Sequence, residues 1–184
     1  MAWWLMALGV GGVALCLVFI YNRLILLRKR VEGAWADIDV HLRRRHDLVP
    51  ALVAAVRGYA THERALLEAV TALRAEGMDT KSPARLARVE ASLERSIGQV
   101  FVLRETYPDL KASENFLRLQ RELIEVENHL QFARRFYNGA VRDLNTRIGQ
   151  FPYLLVARPL GFHEAEFYVA EEPHRAAPTA GSGR

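Results

Sequence analysis

The sequence predicts an all-α protein: an N-terminal transmembrane helix continuing into an antiparallel up-down four-helix bundle. Three observations carry that expectation. Residues 2–21 hold no charged side chain. Four later stretches repeat apolar residues at alternating steps of three and four, the period of one helix face. No stretch sustains period-two alternation, so no sheet is expected.

The span comes first. The run from Ala2 to Tyr21 is about 20 residues, which at 1.5 Å each matches a hydrocarbon core of roughly 30 Å. Trp3 and Trp4 stand at one end and Tyr21 at the other, where amphipathic rings favour the headgroup level. A secretory signal peptide is the rival reading. It would carry Lys or Arg before the apolar run and a small-x-small site after it, and this sequence has neither. Arg23, Arg28, Lys29 and Arg30 follow the span. By the positive-inside rule they place the body in the cytoplasm. Within the span, Ala7, Gly11 and Ala14 share one face and could let a second span approach closely.

From Leu24 the stripe Leu24, Leu27, Val31, Trp35, Ile38, Leu42 runs on without a Gly/Pro cluster. One helix is therefore expected to leave the bilayer and reach about His46. At His46–Pro50 a turn is expected, because the residue before proline avoids the α region and proline suits a first helical turn. A kinked continuous helix is the alternative. The second stripe is Leu52, Val56, Tyr59, Leu66, Val70, Leu73, ending near Gly77. Met78–Pro83 is turn chemistry, with Ser82 placed to cap and Pro83 to open the third helix. That helix carries Leu86, Val89, Leu93, Ile97, Val100 and Leu103, and Tyr107–Pro108–Asp109 stops it. The fourth stripe runs from Phe116 through Leu119, Leu123, Leu130, Tyr137, Val141 and Leu144 to Ile148. It is longer than the others, so its end near Asn138–Gly139 and beyond is expected to reach the membrane surface, bend or project. Four such helices with short connections suit an up-down bundle.

The resulting division is a 1–22 anchor, a 23–150 bundle, a 151–172 apolar segment broken by prolines, and a 173–184 tail that reads as disordered. The 151–172 segment is too short and interrupted to span. Docking on the bundle, lying in the interface or touching a neighbour all remain open for it.

Composition restricts the chemistry. A single cysteine, Cys16, rules out a disulfide framework and any multi-thiolate metal site. A di-metal carboxylate site needs Glu-x-x-His on two helices and Glu on two others. Here Glu122, Glu125, Glu127 and His129 lack that spacing, and His62–Glu63 are adjacent. Gly-x-Ser-x-Gly and the phosphate-binding Gly-x4-Gly-Lys-Ser/Thr pattern do not occur. Arg43, Arg44 and Arg45 spread over about 200° of a helix, with Arg45 near the seam, so no phosphate-binding stripe and no nucleic-acid partner are expected. The net charge of +4 is modest. No catalytic residue, metal or cofactor is expected.

Two stripes are interrupted by charge. The second passes through Glu63, and the fourth through Glu127 and Arg134. These positions read either as a wet edge or as a buried polar layer fixing helix register. In the layer reading Glu63 and Glu127 lie at similar depth, with Arg134 and Arg95 as available cations.

The stretches YNRL at 21–24, RRRHDLVPALV at 43–53, RGYATHE at 57–63, YPDLKASENFLRLQRELIEVENHLQFARRFYN at 107–138 and VRDLNTRIGQFP at 141–152 resemble the LemA proteins of bacteria. They cover most of residues 21–152 in order. Ala51 and Leu144 depart from the Asn and Tyr common there. The resemblance implies a membrane helix followed by a four-helix bundle, and it brings no catalytic residues. It also implies relatives in magnetosome membranes and others encoded beside a membrane metalloprotease. The functional expectation is a non-enzymatic scaffold or interaction protein in contact with the lipid bilayer, forming a homo-oligomer. The alternatives are an adaptor for a membrane protease or envelope partner, and a metal-dependent enzyme built on the bundle.

Overall fold

The computed structural model describes residues 2–60 and 62–169. Among these the chain is all-helical, with no strand. The expected disordered tail, 173–184, lies outside the described residues.

The first helix, α1 (Ala2–Arg57), is 56 residues long and joins the apolar run to the first bundle stripe without a break. Its N-terminal part is long and apolar enough to cross a membrane. The turn expected at Pro50 is absent, and α1 runs through the proline. Proline has no N–H to offer the carbonyl four residues back, which here is that of His46. The structure supplies a substitute, since Arg74 Nε donates to that carbonyl oxygen at 2.6 Å. α1 ends instead at Arg57, and the next helix begins at Arg64.

α2 (Arg64–Asp79) and α3 (Pro83–Thr106) follow. Ser82 caps α3 by accepting from the Arg85 N–H at 3.3 Å, and Pro83 fills the first helical position, where no donor is needed. A one-turn helix, α4 (Pro108–Ala112), precedes α5 (Glu114–Gly149), whose cap is Ser113 accepting from the Phe116 N–H. The short α6 (Tyr153–Ala157) follows a cis Phe151–Pro152 bond.

α1 and α5 share the longest seam. Their contacts count up one helix and down the other: Arg30 to Asp143, Trp35 to Tyr137, Arg44 to Glu125. The apolar core divides in two. One part gathers Leu24 to Leu42 of α1 with Val126 to Ile148 of α5 and the segment after α6. The other gathers Val49 to Ala60 with α2, α3 and the start of α5. Between them, Arg45 and His46 on α1 and Glu90 on α3 are buried polar side chains, and half-buried Glu127 on α5 joins them.

The segment 163–169 is extended and lies along α5. Asn138 donates to the Tyr168 carbonyl and accepts its N–H, at 3.0 and 2.9 Å. Asn145 does the same with Ala165, at 2.9 and 2.8 Å. Two amides seven residues apart, hence on one helix face, thus satisfy a strap that has no strand partner.

Candidate functional site

The charged layer is the most elaborate polar arrangement in the described chain. Arg45 is 2% exposed and Glu90 not at all. Arg45 Nη1 donates to Glu90 Oε2 at 3.0 Å, and its Nη2 donates to Glu127 Oε2. The other Glu90 oxygen meets His46 Nε2 at 2.7 Å. A carboxylate only accepts, so Nε2 carries the proton. Glu127 Oε1 accepts from Arg134 Nη1 at 3.4 Å, and the same nitrogen lies 3.5 Å from Glu94 Oε2 at the rim. The result is a chain His46–Glu90–Arg45–Glu127–Arg134–Glu94, with the carboxylates separated by bases across α1, α3 and α5.

Two further elements close on it. α2 approaches at Gly77, where a Cβ would stand 2.6 Å from Glu90 Oε1 and 3.2 Å from His46 Nε2. Glycine is required there because any side chain would displace the hydrogen-bonded pair. The strap covers the opposite side, with the Tyr168 ring 5.5 Å from the Arg134 guanidinium carbon. Burial pushes the Tyr168 hydroxyl up to about 12, against the pull of Arg134. Burial also pulls the Arg45 guanidinium below its ordinary value, and Glu90 acts the other way. Arginine starts so far above neutrality that it stays a cation.

This geometry bonds the groups to one another. Glu90 is enclosed, with one oxygen bonded to Arg45 and the other to His46, and has no access to a substrate. Breaking one member of such a network leaves an unpaired buried charge, and the bonds link α1, α3 and α5.

Glu127 and Arg134 lie in this layer, but Glu63 does not. A similar depth for Glu63 and Glu127 requires the chain to turn at Pro50. With α1 continuing to Arg57, Glu63 falls in the connection itself, at the N-cap of α2, where its side chain makes no capping bond. Arg95 is exposed and bonds Ser92. The cation facing Glu127 is Arg45, and the second buried carboxylate is Glu90.

The three consecutive arginines have three fates. Arg43 pairs with Asp39 at 2.6 Å, Arg44 lies 3.6 Å from Glu125, and Arg45 turns inward. His129 stacks on His41 with ring centres 5.0 Å apart, bridging α5 and α1. Among the described residues no group of three or more His, Cys, Asp or Glu is gathered as metal ligands would be.

At the other end of α1, Trp3, Trp4 and the face of Ala7, Gly11 and Ala14 are exposed. Tyr21 meets the Phe162 ring edge-on at 6.1 Å. Arg28 and Lys29 both bond Glu32, at 3.2 and 2.7 Å, which lowers the Glu32 carboxyl below its usual range, the Lys29 hydrogen bond acting most. Arg30 lies 3.8 Å from Asp143, and Arg23 is half-buried.

The model of the LemA family matches residues 34–180, well over half the chain. Protein LemA of Metamycoplasma hominis is 26% identical over 158 residues, covering 84% of this chain and 71% of that protein. Magnetosome protein MamQ 2 of Paramagnetospirillum magneticum is 21% identical over 192 residues, covering 90% of this chain and 70% of that protein. Magnetosome protein MamQ of Magnetospirillum gryphiswaldense is 17% identical over 174 residues, covering 80% and 64%.

Proposed function

The chain belongs to the LemA family, and we propose that it is a single-span, self-associating scaffold of the bacterial inner membrane without chemistry of its own. Its four long helices form one antiparallel up-down bundle in the cytoplasm. The observation that carries this reading is the internally paired charged layer, whose Glu127 and Arg134 end reaches the surface. The most concentrated ionisable groups of the bundle are spent on one another, with Arg45 and Glu90 sealed from solvent. A site built to turn over substrate would leave a group free to meet it. The LemA and MamQ relatives support a membrane-associated helical protein.

The anchor reading rests on α1. From Met6 to Phe19 its large apolar side chains are exposed, as suits a helix whose surroundings are hydrocarbon. The cluster Arg23, Arg28, Lys29, Arg30 on one flank supports a cytoplasmic body. Ala7, Gly11 and Ala14 offer a close-packing face to a second copy.

Two measurements test the proposal. In a Cys16→Ala background, Val102→Cys on the exposed surface of α3 should resist an impermeant thiol reagent in intact cells and react after lysis. Labelling before lysis would overturn the orientation. The intact mass of the protein extracted in mild detergent should be a multiple of the monomer, and Gly11→Ile should lower it without loss of helicity. A stoichiometric transition metal in the same preparation would favour the enzyme instead.

A further inference from the structure

We propose that the chain touches the bilayer a second time. The reversal after α5, residues 151–160, lies flat on an anionic lipid surface beside the emerging span. This inference rests on reading the first part of α1 as the membrane span.

Height along α1 places the segment. Arg30 faces Asp143. Seven residues toward the span α1 reaches Arg23, and seven residues on α5 reaches Gln150, about 10 Å from the pair in each case. The chain therefore leaves α5 level with Arg23, two residues or about 3 Å below the end of the uncharged run. α6 then packs on α1 beside Ile20 and Leu24, which it helps to bury.

The segment has two faces. Val156, Ala157 and Phe162 are buried against the bundle, and Phe162 lies on Tyr21. Phe151, Leu155 and Leu160 point away and are 80%, 65% and 53% exposed. Gly161 makes the division sharp. Its φ of 74° lets the Phe162 N–H reach back to the Ala157 carbonyl at 2.9 Å. The chain thereby reverses between an outward Leu160 and an inward Phe162.

Charge complements the lipid. Arg23, Arg147 and Arg158 stand near this level, and Arg142 lies about 10 Å further from the span, beside Arg30. Of the carboxylates nearby, Glu32 is engaged by Arg28 and Lys29, Asp143 faces Arg30, and Glu164 on the strap is exposed. An apolar face continuous with a membrane span and ringed by arginines fits the boundary between acyl chains and acidic headgroups. It does not resemble a surface designed for water.

The test uses the full chain in phosphatidylglycerol/phosphatidylethanolamine vesicles. In a Cys16→Ala background, single cysteines replace Phe151, Leu160, Leu8 or Val102 and carry an environment-sensitive fluorophore. All four positions are exposed in the chain, and circular dichroism confirms that each variant keeps its helicity. Nitroxide lipids labelled near the headgroup should quench emission at 151 and 160. Deep-labelled lipids should quench at 8, and neither should affect 102. Loss of quenching at 151 and 160 with quenching kept at 8 overturns the inference and leaves the span intact. Loss at 8 as well removes the span reading and this inference with it. Blue-shifted emission at 151 and 160 that lipid nitroxides do not quench would give the face to a second copy of the chain, which also overturns it.

Discussion

The two ends of α1 invert each other. Toward the N-terminus Leu15 is 73% exposed, along with Leu8, Val13 and Phe19. Some 30 residues on, Arg45 is 2% exposed and His46 is buried with it. In one solvent these would be two errors on one helix. Each is correct if the surroundings change along its length. Apolar surface is costless in hydrocarbon, and a charge can be enclosed in a water-bathed bundle when partners surround it. The lesson is that burial alone says little about a residue until its medium is named.

The sharpest way to break the comparison is to remove the enclosed charge. Arg45→Met leaves Glu90 and Glu127 facing each other without their shared cation. Loss of one partner of a buried pair costs about 3–5 kcal/mol, whereas an exposed pair such as Arg64–Glu68 is worth about 0–1 kcal/mol. Denaturation in detergent, followed by helicity, should show that drop for Arg45→Met and almost none for Arg64→Ala. Adding Glu90→Gln to Arg45→Met should recover part of the loss, because the stranded charge is gone. Strict additivity would mean that the layer is not a coupled network.

The converse experiment puts a charge where there is none. Leu15→Arg should weaken insertion by about 2.5–3.5 kcal/mol, seen as a shift from the membrane to the soluble fraction. Val102→Arg, also on an exposed apolar position, should leave partitioning unchanged. Equal behaviour of the two variants would show that both ends of the molecule meet the same solvent.

Much of this was legible in the sequence, and the gaps have physical causes. The apolar stripes predicted the helices because burial on one face leaves a 3.6-residue period. The long apolar start of α1 was legible from its lack of charge. Arg45 was visible near the seam, but its partner was not. Glu90 falls at a stripe position between Leu86 and Leu93, the same signal that marked Glu127, so it could have been found. Glu63 was misplaced because helix depth was counted from Pro50, and proline usually marks a boundary. What keeps α1 intact is Arg74, a residue on another helix, and no local pattern reports that. The strap was illegible for a related reason. Asn138 and Asn145 bond only backbone atoms of Ala165 and Tyr168, which carry no side-chain signature.

The Arg74 contact gives a smaller and more selective test. Arg74→Met should cost about 1–3 kcal/mol by leaving the buried His46 carbonyl unpaired. In a Pro50→Ala background the residue at 50 regains an N–H, and the His46 carbonyl recovers its helical partner. The same Arg74→Met change should then cost clearly less. An equal cost in both backgrounds would mean that Arg74 stabilises through its position and not through that carbonyl.

The gentlest probe concerns the lid of the layer, and it is almost silent at neutral pH. Tyr168 is buried, its ring lies over Arg134, and its hydroxyl makes no hydrogen bond among the described residues. Tyr168→Phe keeps the ring and removes only a buried, unpaired hydroxyl, so stability at pH 7 should not fall. The difference should appear in alkali. In the folded chain the hydroxyl is pushed up to about 12 by burial, while in the unfolded chain it titrates near its ordinary value of about 10. Between those values the unfolded state loses its proton and the folded state keeps it. The folded state then binds more protons, so stability falls as pH rises through this window. Tyr137, also raised by burial, adds to the fall with the same sign and stays in the variant. Denaturation midpoints from pH 9 to 12 should therefore decline less steeply for Tyr168→Phe than for the parent. Parallel declines would show that the strap opens before the hydroxyl titrates, which would place Tyr168 outside the sealed layer and among the surfaces that water reaches.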